Sequence, residues 1–278
     1  MYKDVPGDCL VPGHSAGKTV ILCSYAFMSQ FSEDRMSVPA FYDTLLHGIG
    51  HDVTVQNLVH GIAWTSAVLS DGRCAVAMHT EGETRPRLFS SLIGLSAREA
   101  AEAVLSWNME EASEGMAVIN AYYNTARRLN LFSTPSVDAT LDGIDLSGKT
   151  IGFIGHLISH GGITEEVVAP AKQVYILERE PRPGDYPDTA CEYLLPLCDV
   201  IVITGSAAVN KTMPRLLELS RQADVFITGP SVPLCPELLD LGIRRLCGMV
   251  ITDPDAMHKA IVEKRQPINP WSIRFALE

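Results

Sequence analysis

Two stretches of the chain place small polar residues directly after apolar runs. Asp199 to Thr212 reads DVIVITGSAAVNKT, and Asp224 to Pro233 reads DVFITGPSVP. In each, a β-branched or aromatic run ends in Thr-Gly with a serine within two residues. Glycine permits close backbone approach, and freed amides beside a hydroxyl can hold an anionic or carbonyl oxygen. Gly205 and Ser206 in the first stretch, and Gly229, Pro230 and Ser231 in the second, are therefore candidate ligand contacts, with Asn210 and Thr212 adding an amide and a hydroxyl. Ser and Thr also cap helices, so one such loop says little. Two on consecutive strands argue for one shared pocket.

Other candidates precede these. The run TIGFIGH ends in Gly155 and His156, and His160 follows four residues later. Two histidines at that spacing suit metal ligation from one helical face, or simply a loop histidine and its neighbour. Glu178 ends the run QVYILE and is followed by Arg179 and, beyond two prolines, Asp185. A carboxylate there is placed as one that holds a ribose would be, although the glycines do not form the dinucleotide fingerprint. Gly13 to Thr19 is one residue short of a phosphate-binding loop and has no preceding strand. His47, His51 and His60 are scattered, and no HExxH occurs.

Two kinds of element must position these residues. Residues 1–17 are an irregular lead-in, residues 18–28 fit a strand or a buried helix start, and 37–48 predict a short helix with Ser37 as cap and Pro39 in its first turn. Residues 53–80 carry β-branched runs punctuated by His60-Gly61 and Asp71-Gly72, which predicts an antiparallel meander. Ser96 with Glu99 is a capping box opening the helix 96–108, and 111–130 continues as a second helix. Strands first and helices after is an α+β pattern. After an aperiodic stretch the pattern changes. Apolar runs at 150–155, 173–178, 199–204, 224–229 and 244–251 alternate with helical segments at 163–170, 188–197, 212–221, 234–241 and 253–264. Such alternation marks an α/β unit with a parallel sheet buried on both faces. The boundary near 135–148 divides the chain into domains 1–134 and 135–278. In an open α/β sheet, ligands bind beyond the carboxyl ends of the strands, where all the candidate loops fall.

The 278 residues are ample for a sizeable core. A formal charge of −11 argues against nucleic acid or an anionic membrane surface as the partner. The seven cysteines contain no CxxC pair and read as buried small apolar residues in a reducing compartment. No apolar run approaches the ~20 residues of a membrane span and no signal-peptide pattern follows Met1, so a cytoplasmic protein is expected.

The segments GHLISH, LEREPRPGDYPD, CDVIVITGSAAVNKT and ITGPSVPLCPELLDLGIRRLCGMVI resemble the successive motifs of a heavy-metal-chelation family of unknown function, from about residue 50 to 264. HGIAWTSAV, SAREAAEAVLSWN and EASEGMAVINAYYN resemble that family's N-terminal half. The resemblance implies an enolase N-terminal-like α+β domain followed by a Rossmann-like domain, with a cleft between them. It implies no enolase-type magnesium chemistry, because enolase's catalytic barrel has no counterpart. It makes Asn120 the N-terminal contribution to the cleft and a heavy or transition metal ion the expected cofactor, with His156 and His160 as candidate metal contacts. The expected function is binding of a small anionic or metal-chelating ligand in that cleft. The alternative is a site for a nucleoside-containing cofactor, with Glu178 on the ribose. Catalysis and homo-oligomerisation are left open.

Overall fold

The computed structural model describes residues 38–278 apart from Thr84, 130–139, 161–162 and 264–267. The lead-in with Gly13 to Thr19, the segment 18–28, Ser37, most of the stretch before 140, and Gly161-Gly162 lie outside the described residues.

Helix α1 (Ala40–His47) buries Phe41, Tyr42, Leu45 and Leu46 along one side. Pro39 stands at its N-cap, one position before the first turn where the sequence suggested it. Strands β1 (Val55–His60), β2 (Trp64–Leu69) and β3 (Cys74–Met78) form the predicted antiparallel meander in the order β1-β2-β3. Ser96 caps α2 (Ala97–Ala101) with the expected reciprocal bonds to Glu99, and the helix tightens into a 3₁₀ turn at Glu102–Leu105. The Asn108 side chain then caps α3 (Met109–Tyr123), which lies almost wholly buried against β2 and β3.

The sequence suggested one helix over 111–130, but the chain breaks at Asn124 before α4 (Ala126–Leu129). The break has a physical cause. Asn124 is buried, and its Nδ2 donates to the carbonyls of Val232 at 2.8 Å and Met249 at 3.1 Å. Its Oδ1 accepts from the Leu234 amide at 2.8 Å. One side chain at the end of α3 thus satisfies three main-chain groups far along the chain.

Those groups lie on a strand of the second sheet, at Met249, and in the loop that precedes it, at Val232 and Leu234. That sheet is built from β4 (Thr150–Ile154), α5 (Glu165–Val168), β5 (Gln173–Glu178), β6 (Tyr186–Pro187), α6 (Cys191–Leu194) and β7 (Val200–Thr204). The chain continues through α7 (Ser206–Val209), α8 (Met213–Leu219), β8 (Asp224–Thr228), β9 (Ile243–Ile251), α9 (Pro254–Val262) and β10 (Ser272–Leu277). The strand order is β10-β9-β8-β7-β4-β5-β6, parallel except for the antiparallel β9–β10 pair. Alternation on β7 and β8 explains the unbroken apolar runs. Ile201, Ile203, Val225 and Ile227 join the core shared with α1 and α3. Val200, Val202 and Phe226 join Ile151, Phe153 and Leu146 on the opposite face. The helix expected at 234–241 is a 3₁₀ turn at Pro236–Leu241, where Pro236 at its start supplies no amide hydrogen.

The five described cysteines are free and buried, as their composition suggested. Burial pushes Cys74 and Cys235 up to about 12, and Cys191, Cys198 and Cys247 to about 11. These thiols are unreactive packing groups at neutral pH.

A second set of buried bonds joins α1 and the turn after α2 to the segment around α7. Tyr42 Oη donates to the Ala208 carbonyl at 2.7 Å. Lys211, in the left-handed region at φ 71°, donates Nζ to the carbonyls of Val104 and Val209. Burial pulls its ammonium down to about 7.

Asn124→Ala leaves three buried main-chain groups without their partner, and should lower the unfolding free energy by about 3 kcal/mol in urea titration. A loss below about 1 kcal/mol would show that water replaces the amide. Lys211 should make stability rise with pH, because the unfolded chain holds the lysine proton to a higher pH than the folded one. Relative to Lys211→Met, stability should gain about 2–3 kcal/mol between pH 7 and pH 9. A flat difference over that window would show that the folded chain keeps the ammonium charged.

Candidate functional site

The strand order reverses at β4: β5 lies on one side of it and β7 on the other. The carboxyl ends of β4 and β7 therefore stand at the switch point beyond which open α/β sheets generally hold ligands. Gly155 ends β4 at φ 99°, a conformation that favours glycine, and a Cβ there would lie 3.4 Å from Thr204 Cγ2 on β7. Gly205, after β7, donates to the Thr228 carbonyl at 2.8 Å. A Cβ on Gly205 would come within 2.9 Å of the Val232 nitrogen, so glycine lets the β8 loop close against the β7 loop. The two Thr-Gly-Ser stretches are thus neighbouring loops in direct contact. Thr204 Oγ1 and Ser206 Oγ share a hydrogen bond at 3.1 Å, and both side chains are only partly buried.

On the other side of β4, the predicted charged residues gather into one cluster. His156 Nε2 lies 2.6 Å from Asp185 Oδ2, and the His156 amide donates to Glu178 Oε2 at 3.1 Å. Glu178 Oε1 accepts from the Arg179 amide at 2.7 Å. Each oxygen of Glu178 therefore serves a loop amide. Asp185 Oδ2 also accepts from the Arg182 amide at 2.7 Å. That amide, and then His156, hold the Asp185 carboxyl below the usual carboxylate range. The Arg179 side chain is exposed, 3.8 Å from Asp188. His160 is exposed, on a loop rather than a helix, with Nδ1 3.4 Å from the Ile158 carbonyl. Helical spacing therefore does not pair it with His156. Among the described residues, no group of three or more His, Cys, Asp and Glu side chains is arranged to hold a metal ion.

Four predicted residues make internal bonds. Asn210 Oδ1 accepts from both the amide and the hydroxyl of Thr212, at 3.2 and 2.7 Å. Ser231 Oγ accepts from the Met78 amide at 2.8 Å, and Asn120 Nδ2 donates to the Val76 carbonyl at 2.8 Å. β3 is an edge strand, and these two side chains satisfy main-chain groups it would otherwise leave unpaired. Asn120 Oδ1 is buried with no hydrogen-bond partner among the described residues. The Ser231 bond brings the β8 loop against the end of β3.

Just past that end stands a polar cluster that the sequence did not single out. Glu114 on α3 is buried, with Oε1 3.0 Å from His60 Nε2 and Oε2 bonded to Arg87. Thr65 Oγ1 lies 3.3 Å from His60 Nδ1 and 3.1 Å from His79 Nδ1. Glu111, one turn earlier and fully buried, accepts from the amides of Leu88 and Phe89 at 2.7 and 2.8 Å. Strand register explains the assembly. His60 is paired opposite Thr65, Thr65 opposite Ala77, and His79 lies two residues beyond Ala77, so all share the face that α3 covers. The signal was His60 and His79 at strand ends flanking a hairpin threonine, which is legible only once the register is known.

Family models described as "Putative heavy-metal chelation" match residues 42–123 and 141–267. A crystal structure of a DUF364 family protein of unknown function from Desulfitobacterium hafniense is 33% identical, with a TM-score of 0.76. That match covers 91% of this chain and 99% of the other. A DUF364 protein of unknown function from Pyrococcus horikoshii is 25% identical over 85% of this chain and 97% of its own, with a TM-score of 0.69. An uncharacterized protein of Methanocaldococcus jannaschii is 28% identical over 156 residues, which is 54% of this chain and 58% of that relative's length.

Because the Asp185 carboxyl is held low in the folded chain, its ordering of the loop is complete above the unfolded pKa and is lost as pH falls through the folded one. Hydrogen-exchange protection of the Arg182 amide, corrected for intrinsic rates, should hold at pH 6 and vanish only below the ordinary Asp range of about 4. Asp185→Asn should remove that acid-dependent loss. An identical pH profile in the variant would assign the loop's order to its prolines.

Proposed function

We propose that this chain, which belongs to the DUF364 family, binds a small anionic metal chelate in the crevice at the carboxyl ends of β4 and β7, beside the end of β3. The observation that carries the reading is the topological switch at β4. Gly155, Gly205 and the hydroxyls of Thr204 and Ser206 all follow or end these two strands, which supports the reading that they share one site. Metal in this family description is best taken as cargo. The described side chains supply no three-donor set, which supports a reading in which a chelator, whose oxygens the loops can hold, supplies the donors. Backbone amides and hydroxyls suit that task, since they recognise negative oxygens without competing for the metal. His156, oriented by Asp185, offers an imidazole at the rim. Gly229, Pro230 and Ser231 form the stiffer wall, with Ser231 anchoring β3. Asn120 supports this wall from the side of α3 through its bond to β3.

Native mass spectrometry and elemental analysis of protein purified without a metal-affinity tag should detect a bound chelate. A saturating chelate at one hundred times its Kd should add about 2.7 kcal/mol to the unfolding free energy. Ser206→Ala should weaken binding by about tenfold while stability is retained, the cost of one charge-assisted hydrogen bond. Stabilisation by nucleotide cofactors and not by any metal chelate would overturn the reading in favour of a nucleoside site.

A further inference from the structure

The polar cluster at the end of β3 has an unusual charge count. Glu111 and Glu114 on α3 are both buried, and the one guanidinium among them is Arg87, bonded to Glu114 and 4.0 Å from Glu111. Counting the buried groups, two carboxylates face one fixed cation, and partly exposed Glu110 adds further negative charge near Arg87, so the cluster is short of positive charge. Burial makes an uncompensated charge costly, so the cluster has a place for one proton. The group positioned to carry it is His60, whose Nε2 faces Glu114. Hydrogen bonds from His60 and Arg87 outweigh burial and hold the Glu114 carboxyl below its ordinary range.

The chain of bonds continues outward. His60 Nδ1, Thr65 Oγ1 and His79 Nδ1 form an unbroken line with spacings of 3.3 and 3.1 Å. Thr65 is fully buried, and a hydroxyl there can donate to one ring while accepting from the other. His79 is half-buried, and its Nε2 has no hydrogen-bond partner among the described residues. Its neighbour Met78 is the residue whose amide is held by Ser231 of the β8 loop. The line therefore runs from a buried carboxylate to an imidazole nitrogen one residue past the amide that the β8 loop holds.

We infer that His79 is a proton-accepting residue of this site, with Glu114, His60 and Thr65 as its relay, and that the ligand it serves is a protic oxygen-donor chelator. This deepens the ligand reading above and rests on it for the identity of the ligand. An oxygen donor must lose its proton to bind a metal ion tightly. The ligand O–H bond breaks and its proton joins His79 Nε2. The His79 Nδ1 proton passes to Thr65 Oγ1, and the Thr65 hydroxyl proton passes to His60 Nδ1. His60 ends as an imidazolium against the Glu114 carboxylate, and no other atom or electron moves.

Two measurements test this separately. The first uses the ligand-free protein and ¹⁵N-imidazole NMR over a pH titration. One proton should be shared, so His60 Nδ1 and His79 Nε2 should shift in concert; Thr65→Val should uncouple the two rings, and Thr65→Ser should restore the coupling. Independent titration of the rings in the wild type, or unchanged coupling in Thr65→Val, would overturn the relay. The second uses ferric ion with acetohydroxamic acid as probe, by calorimetry in two buffers of different ionisation enthalpy. His79→Gln should release about one more proton to the buffer than the wild type does. Equal release would overturn the role of His79. No binding of the probe to the wild type would overturn the ligand class, while the NMR result still decides the relay.

Discussion

The arrangement of this protein depends on the side chain of Asn124. A helix that ended at Tyr123 without it would leave the carbonyls of Val232 and Met249 and the amide of Leu234 buried without partners. A single carboxamide satisfies all three because it carries both a donor pair and an acceptor. The consequence reaches the site. Fixing residues 232–234 fixes the loop that starts at Gly229, and that loop closes against Gly205 on one side and against the end of β3 through Ser231 on the other. The packing of the β7 and β8 loops against each other is thus set by an interaction made away from them.

Charge is divided unequally around those loops. On the β4–β5 side, His156, Glu178 and Asp185 form a partly exposed network whose carboxylates are largely spent on loop amides. On the β3 side, Glu111, Glu114 and Arg87 are held under α3 with histidines leading outward. The first network shapes loops. The second stores charge in low dielectric, where one proton matters far more than at the surface.

Much of the fold was legible in the sequence because it rests on local signals. The Ser96–Glu99 box, the Asp71-Gly72 turn and the doubly buried runs of β7 and β8 each announce themselves within a few residues. β10 did not, because a half-exposed edge strand such as SIRFAL carries no continuous apolar run and pairs antiparallel after the last helix. The roles of the candidate residues were less legible. Gly205 suggested close backbone approach by a ligand, and what comes close to it in the structure is the β8 loop at Val232. Ser231 and Asn120, however, read equally well as ligand contacts and as caps for a strand edge, and the difference lies in partners 153 and 44 residues away. The His60–Thr65–His79 line depends on cross-strand register, which no local pattern encodes.

Anomalous diffraction from crystals grown with a metal chelate tests the central claim most directly. The account predicts metal density in the crevice between the Gly155 and Gly205 loops, with chelator oxygens, not protein side chains, completing the metal's coordination. Metal coordinated by three or more protein side chains, or seated away from the carboxyl ends of β4 and β7, would contradict it.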